Sequence, residues 1–195
     1  VRPINVHVQT DYNNLYLPLF AEYVELIQPH ISVPITLLNT HPTNKDGFNI
    51  LVILSDDLER DVYGRYEKDL RRIDDNKNLL FTSFEEIFAD PLTKCAGIVS
   101  FNDEYNIQIS VIFIPTTHRK ELFFDCIMEE LTQSLGLPND YYGFTETTFN
   151  DLIGEHGLTP LDILMLRILY HPDIKPGMSI SEVEPLFATI YEEVT

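Results

Sequence analysis

The stretch of this chain richest in chemically useful residues runs Cys126-Ile127-Met128-Glu129-Glu130-Leu131-Thr132-Gln133-Ser134-Leu135-Gly136-Leu137-Pro138-Asn139-Asp140. Its spacing fits the frame of the long zinc-peptidase motif H-E-x-x-H-x-x-G-x-x-H. In that frame two histidines four apart face one side of a helix, the glutamate is the general base, the glycine turns the chain and a third histidine completes the metal site. Here Glu129, Gln133 and Asn139 stand at the three ligand positions, Glu130 at the base position and Gly136 at the turn. Catalytic zinc takes three good ligands, mostly neutral imidazole, plus a water. One carboxylate and two neutral amide oxygens make a weak set for zinc. Oxygen donors suit calcium, magnesium or manganese better, but those ions want more carboxylates than this segment supplies unless Asp140 joins. Without a metal no water is acidified, and Glu130 alone is a poor engine for amide hydrolysis. The expectation is no zinc, no other cofactor and no conventional zinc-peptidase activity.

Two uses remain for these polar groups. Glu129 and Gln133 share a helix face, where an amide can hydrogen-bond a carboxylate, while Glu130 lies on the face of Cys126. Beside a cleft they would bind a peptide or glycan chain. Without one they form a polar network that replaces the metal as structural glue. The aromatic run Asp140-Tyr141-Tyr142-Gly143-Phe144 either gates a groove or packs over the core. The histidines at 7, 30, 41, 118, 156 and 171 show no metal-ligand spacing. A Cys126–His118 nucleophile pair would need an exposed, activated thiolate, which a buried helical position denies. Neither a G-x-S-x-G elbow nor a Walker-A run is present. Cys95 and Cys126 belong to no CxxC pair, which argues against a zinc ribbon or a thioredoxin-like site. In a reducing compartment they would be buried thiols. In an oxidising one they would pair, closing a loop of about 30 residues worth roughly 3–4 kcal/mol.

The elements that must position this segment can be read from hydrophobic period. Ile4, Val6 and Val8 alternate with polar residues, as in a half-buried strand. Leu15, Leu19, Tyr23 and Ile27 recur at fourfold spacing and predict a helix from about Asn13 to Gln28, closed by Pro29. Ile35–Leu38 reads as a short strand, residues 39–47 as a loop, and Asn49–Leu54 as a buried central strand. Asp56 to Ile73 is charge-dense and helical in pattern, with a helical turn at Phe84–Phe88. Gly97–Phe101 and Ile107–Ile114 read as a hairpin around Asn102–Asn106. A helix over His118–Leu135 carries Phe123, Ile127 and Leu131 on one stripe and stops at Gly136. Thr159-Pro160-Leu161-Asp162 starts another, running to about Tyr170. Ser181-Glu182-Val183-Glu184 reads as a capping box for a last helix, with Pro185 in its first turn. Strands come first and helices last, which predicts an α+β fold in one domain, residues 1–140 containing the sheet and 141–195 helical.

Composition sets the outer bounds. The 195 residues are 44% hydrophobic and 23% charged, ordinary for a globular protein able to bury its own core. No apolar run approaches the length of a membrane span. With 13 basic against 31 acidic residues the formal charge is −18, which repels phosphate backbones and argues against a nucleic-acid partner. Residues 121–195 hold 14 acidic and 2 basic residues, a net of −12, so the acidity gathers toward the C-terminal part. A solvated acidic surface and a negative cleft both fit that bias.

The segment and its surroundings resemble an uncharacterised family of exported bacterial proteins, domain of unknown function family 2927, itself placed among the zincin-like peptidases. The resemblance rests on Cys126, on Glu129-Glu130-x-x-Gln133 and on Phe149-Asn150-Asp151. It extends through Leu158-Thr159-Pro160-Leu161-Asp162, Leu166-Arg167-Ile168-Leu169-Tyr170 and Lys175-Pro176-Gly177-Met178. Leu135-Gly136-Leu137 also looks like the matrixin version of the turn. The resemblance implies a zincin-like fold: a twisted mixed sheet, an active-site-like helix beneath it, and helices after the turn. It implies that the missing histidines are typical of the family. It further implies a periplasmic or secreted protein, with a Cys95–Cys126 disulfide. The chain opens at Val1 rather than Met, which fits either a processed or a trimmed form; no signal peptide is visible, and the expectation is that one has been removed. The resulting expectation is a non-catalytic envelope module that binds a peptide or cell-wall ligand or serves as structure. The alternative is an atypical hydrolase with Glu130 as base and a metal held through oxygens. Oligomeric state is not legible from the sequence.

Overall fold

A computed structural model describes residues 3–10, 13–38, 50–73, 79–89, 93–140, 143, 145–150 and 157–195. Its centre is a five-stranded mixed sheet in the order β2-β1-β3-β5-β4. The strands are β1 (Ile4–Gln9), β2 (Ile35–Leu38), β3 (Ile50–Ser55), β4 (Ala96–Phe101) and β5 (Ile107–Pro115). β1, β2, β3 and β5 run parallel, and β4 returns antiparallel to β5 as the outer strand of the predicted hairpin. The strands therefore fall where the alternation and the apolar runs placed them, and the mixed architecture is α+β.

Both faces of the sheet are covered. On one face α1 (Asn13–Ile27), α5 (Lys120–Ser134) and α6 (Pro160–Leu169) pack over Val6, Val8, Ile50, Val52, Leu54, Ile112 and Ile114. On the other, α2 (Leu58–Tyr63), α3 (Glu67–Ile73) and α4 (Leu79–Ala89) supply Val62, Leu70 and Phe84, joined by Tyr66 from the link between α2 and α3, against Leu51, Ile53, Ile98, Val111 and Phe113. Each large side chain sealed in these layers, such as Phe20 or Ile53, contributes about 1.5–3 kcal/mol. All described strands lie within residues 4–115, and the described elements beyond 140 are α6 and α7 (Ile180–Val194).

Several local expectations are corrected. β1 is not half-buried: its polar-side residues His7 and Gln9 are buried as well, because β1 lies between β2 and β3 in a sheet covered on both faces. The stripe of α1 that enters the core is Phe20, Tyr23 and Ile27, whereas Leu15 is 65% exposed. The charged stretch from Asp56 is two helices rather than one. Gly64 caps α2, the Tyr66 N–H reaches back to the Asp61 carbonyl at 2.8 Å, and α3 starts afresh at Glu67. The turn at Phe84–Phe88 is part of the longer α4, anchored where Phe84 meets Phe113 edge-on at 4.8 Å. The last helix starts two residues earlier than the capping pattern at Ser181 suggests. Ser179 is the cap, and the Glu182 carboxylate accepts its backbone N–H and its hydroxyl, each at 2.7 Å. Pro185 then falls in the second turn. Like Pro18 of α1, it sits on an exposed side where the carbonyl it leaves unbonded can meet water.

Gly136 ends α5 with φ +119°, a backbone conformation that side chains disfavour, and an added Cβ would stand 3.1 Å from Leu169 Cδ2. Gly136→Ala is expected to lower the unfolding free energy by about 1–3 kcal/mol. Urea denaturation reads this directly, and an unchanged midpoint would show that the turn does not require glycine.

Candidate functional site

α5 is a helix whose burial extends beyond one stripe. Phe123, Ile127, Met128 and Leu131 are buried, and so are the polar Glu130, Thr132 and Ser134. Each buried hydroxyl is accounted for. Thr132 Oγ1 donates to the Met128 carbonyl one turn back and accepts the Tyr23 hydroxyl of α1 at 3.0 Å. Ser134 Oγ donates to the Glu130 carbonyl at 2.7 Å and accepts Ser110 Oγ of β5 at 2.6 Å. Burial pushes the Tyr23 phenol far up, more than the Thr132 contact brings it down, so it stays a neutral donor. The Tyr170 phenol, pushed up to about 12 by burial, donates to the Leu135 carbonyl at 2.9 Å and ties the end of α6 to the end of α5. These bonds fix the helix rotationally against α1, β5 and α6.

That rotation decides where the motif residues point. Glu130 is 5% exposed and faces the edge strand: a Cβ built on Gly97 of β4 would stand 2.5 Å from Glu130 Oε2. The carboxylate occupies the space that a side chain at position 97 would take. Glycine inside a strand pattern marks such a close approach, and that is the signal by which the sequence could have revealed this partner. One turn earlier, Cys126 is disulfide-bonded to Cys95, with Cα atoms 5.9 Å apart. The bond excludes a free thiol at Cys126 and with it the nucleophile pair with His118, whose Nε2 meets the Lys94 carbonyl.

Gln133 points to the other side of the turn and donates its Nε2 to Asp140 Oδ1 at 2.7 Å. Glu129 is half-buried on the same helix face, and Asn139 is exposed, with no hydrogen bond among the described residues. The structure thus joins Gln133 to Asp140, and it sends Glu130 beneath β4 on a different face. Among the described residues no group of three or more His, Cys, Asp or Glu could share a metal ion. The donor set does not fit the zinc of the parent motif: one half-buried carboxylate stands next to an amide already bound to a neighbouring carboxylate. Tyr141, Tyr142, Phe144 and Asp151 lie outside the described residues, as do His41 and His156.

A second buried acid, at the start of α6, was recognisable only as a cap. Asp162 is fully buried. It accepts Thr147 Oγ1 at 2.6 Å, the Thr148 N–H at 3.1 Å and the Thr159 N–H at 2.8 Å. The capping box at Thr159 therefore also fastens the loop of Thr147 and Thr148, beside the buried Phe149 and Asn150.

A family model described as Protein of unknown function (DUF2927) matches residues 1–189. The chain belongs to this family. No curated protein and no solved structure matches it. In this member of the family, the Glu-Glu-x-x-Gln segment and the turn after it are therefore described by their own geometry.

Two outcomes follow from that geometry. In a double-mutant cycle, Gly97→Ala is expected to cost about 1–3 kcal/mol in the parent and clearly less beside Glu130→Ala, because the second change empties the contested space. Strictly additive costs would show that the two positions do not share it. Replacing both Cys95 and Cys126 by Ser should lower stability by about 3–4 kcal/mol, read from denaturation midpoints of the parent with and without reductant.

Proposed function

We propose that this protein is a zincin-like domain stripped of its metal ligands, acting in the cell envelope as a non-catalytic binding or structural module. The observation that carries the reading is the split of the motif. Gln133, at a ligand position, is bonded to Asp140, while Glu130, at the base position, is buried against Gly97. A general base must come within reach of the water or group it deprotonates, and a carboxylate sealed between a helix and a strand is poorly placed for that.

Three further features support the zincin-like part of the reading. α5 lies on one face of a mixed sheet, it ends at a glycine of positive φ in the frame of the motif, and the described elements after it are helices. The disulfide favours an oxidising compartment, hence a periplasmic or secreted protein. No helix among the described residues is long and apolar enough to cross a membrane. The ligands that fit are a peptide or a neutral stretch of cell-wall glycan, since the charge of −18 disfavours polyanions.

The test is metal content and base dependence together. The full chain, equilibrated with zinc or manganese and then desalted, is expected to retain far less than stoichiometric metal by mass spectrometry. Glu130→Gln is expected to leave any cleavage of peptide and cell-wall fragments at the parent's background. Stoichiometric metal that is lost in Glu129→Ala or Gln133→Ala, or a cleavage activity abolished by Glu130→Gln, would establish the oxygen-ligated hydrolase instead.

A further inference from the structure

Across the seam between β4 and α5 stand a disulfide and, one helical turn on, a buried carboxylate. Cys95 is bonded to α5 and Gly97 faces it, so strand alternation turns Val99 the same way and Ile98 toward the opposite core. The α5-facing side of β4 offers little to pack. Gly97 has no side chain, and the apolar core on that side takes in Cys95 but not the half-buried Val99. The two contacts across the seam also act in opposite directions. The covalent bond holds the elements together, whereas a carboxylate enclosed between a helix and a strand has given up hydration that it regains when they part. Each side of the seam is anchored elsewhere. β4 has its ladder with β5, from Ala96 opposite Phe113 to Phe101 opposite Ile107, and Ile98 lies in the other core. α5 has Phe123, Ile127, Met128 and Leu131 in its own core and the bonds to Tyr23, Ser110 and Tyr170. Breaking the disulfide therefore loosens the seam without dissolving either layer. The bond is open to attack at one sulfur: Cys95 is half-buried, whereas Cys126 is 1% exposed. The exposed Lys94 beside Cys95 favours the approach of a thiolate in a chain of charge −18.

We infer that the Cys95–Cys126 disulfide is a redox latch over Glu130: when a protein dithiol reduces it, the seam opens locally and the carboxylate reaches solvent in an otherwise folded chain. The exchange runs in two steps. A thiolate of the dithiol attacks Cys95 Sγ, the bond between the two Sγ atoms breaks, and Cys126 leaves as a thiolate and takes a proton. The second sulfur of the dithiol, deprotonated, then attacks the mixed disulfide and releases Cys95, which is protonated in turn. Two electrons and two protons have passed to the chain, and the dithiol ends as its own disulfide. The latch governs access to Glu130 and not what the domain binds, so it stands or falls independently of the zincin-like reading.

The experiment uses the full chain in two forms. The variant carrying Cys95→Ser and Cys126→Ser has no thiol, since these are the two cysteines of the sequence, so carbodiimide coupling of an amine followed by peptide mapping reads carboxylate access directly. Glu130 should couple about tenfold or more faster in the variant than in the parent, while Asp162, the buried acid of the α6 cap, should couple equally slowly in both. In the parent, a protein dithiol of the CxxC class should reduce the bond well below the unfolding temperature. Amide exchange should then rise at residues 95–99 and 126–130 while α6 keeps its protection. A Glu130 rate unchanged in the variant, Asp162 coupling as fast as Glu130, or a bond that the dithiol leaves intact in the folded parent would each overturn the inference.

Discussion

The architecture of the candidate site depends on how α5 is registered against the edge strand β4. Two neighbouring contacts set that register. Cys126 and Glu130 lie four apart on one helix face, and Cys95, just before β4, lies two residues from Gly97 in it. The disulfide joins the first of each pair, and the close approach of carboxylate to glycine joins the second. A covalent bond resists separation of the two elements, and the missing Cβ lets them sit close. They act together with the hydrogen bonds that hold α5 to α1, β5 and α6. With both in place, Glu130 is turned under the sheet and Gln133 outward to Asp140.

Around that pair, several buried polar groups are satisfied by short bonds between segments separated in sequence. Tyr23 with Thr132, Ser110 with Ser134, and Asp162 with Thr147 each link elements that hydrophobic contact alone would position less specifically. Hydrogen bonds of this kind contribute modestly when made and cost much when broken in a buried site. They therefore define one arrangement of the helices more than they add stability. The excess of acid does not reach this network uniformly. Most acidic groups described in α7 are exposed, whereas Asp162 is enclosed by donors.

Much of the fold was legible in the sequence, because strands and helices write their period into the chain. β2 was read to the residue, and β3, β4 and β5 to within a residue or so, since their apolar runs end at turn-forming residues. The start of α6 was legible because Thr159, Pro160 and Asp162 each satisfy a different requirement of a helix N-terminus. The errors share one cause. Whether His7 and Gln9 are wet or buried depends on what covers the second face of the sheet. Whether Leu15 or Phe20 enters the core depends on how α1 is rolled against α5. Neither relation is local. The break at Gly64 and the cap at Ser179 were missed for a smaller reason: two competing local patterns were present, and tertiary packing chose between them.

The same division runs through the candidate site. By itself the sequence determined which side chains are available, namely the frame from Glu129 to Asn139, the glycine that must end the helix, and the absence of imidazole from its ligand positions. Those follow from residue type and spacing along a single helix, which are properties of neighbouring residues. Only the tertiary structure decided that Cys95 meets Cys126, that Glu130 lies against a glycine and that Gln133 reaches Asp140. Those are relations between segments far apart in the chain, fixed by which faces pack together, and no local pattern encodes them.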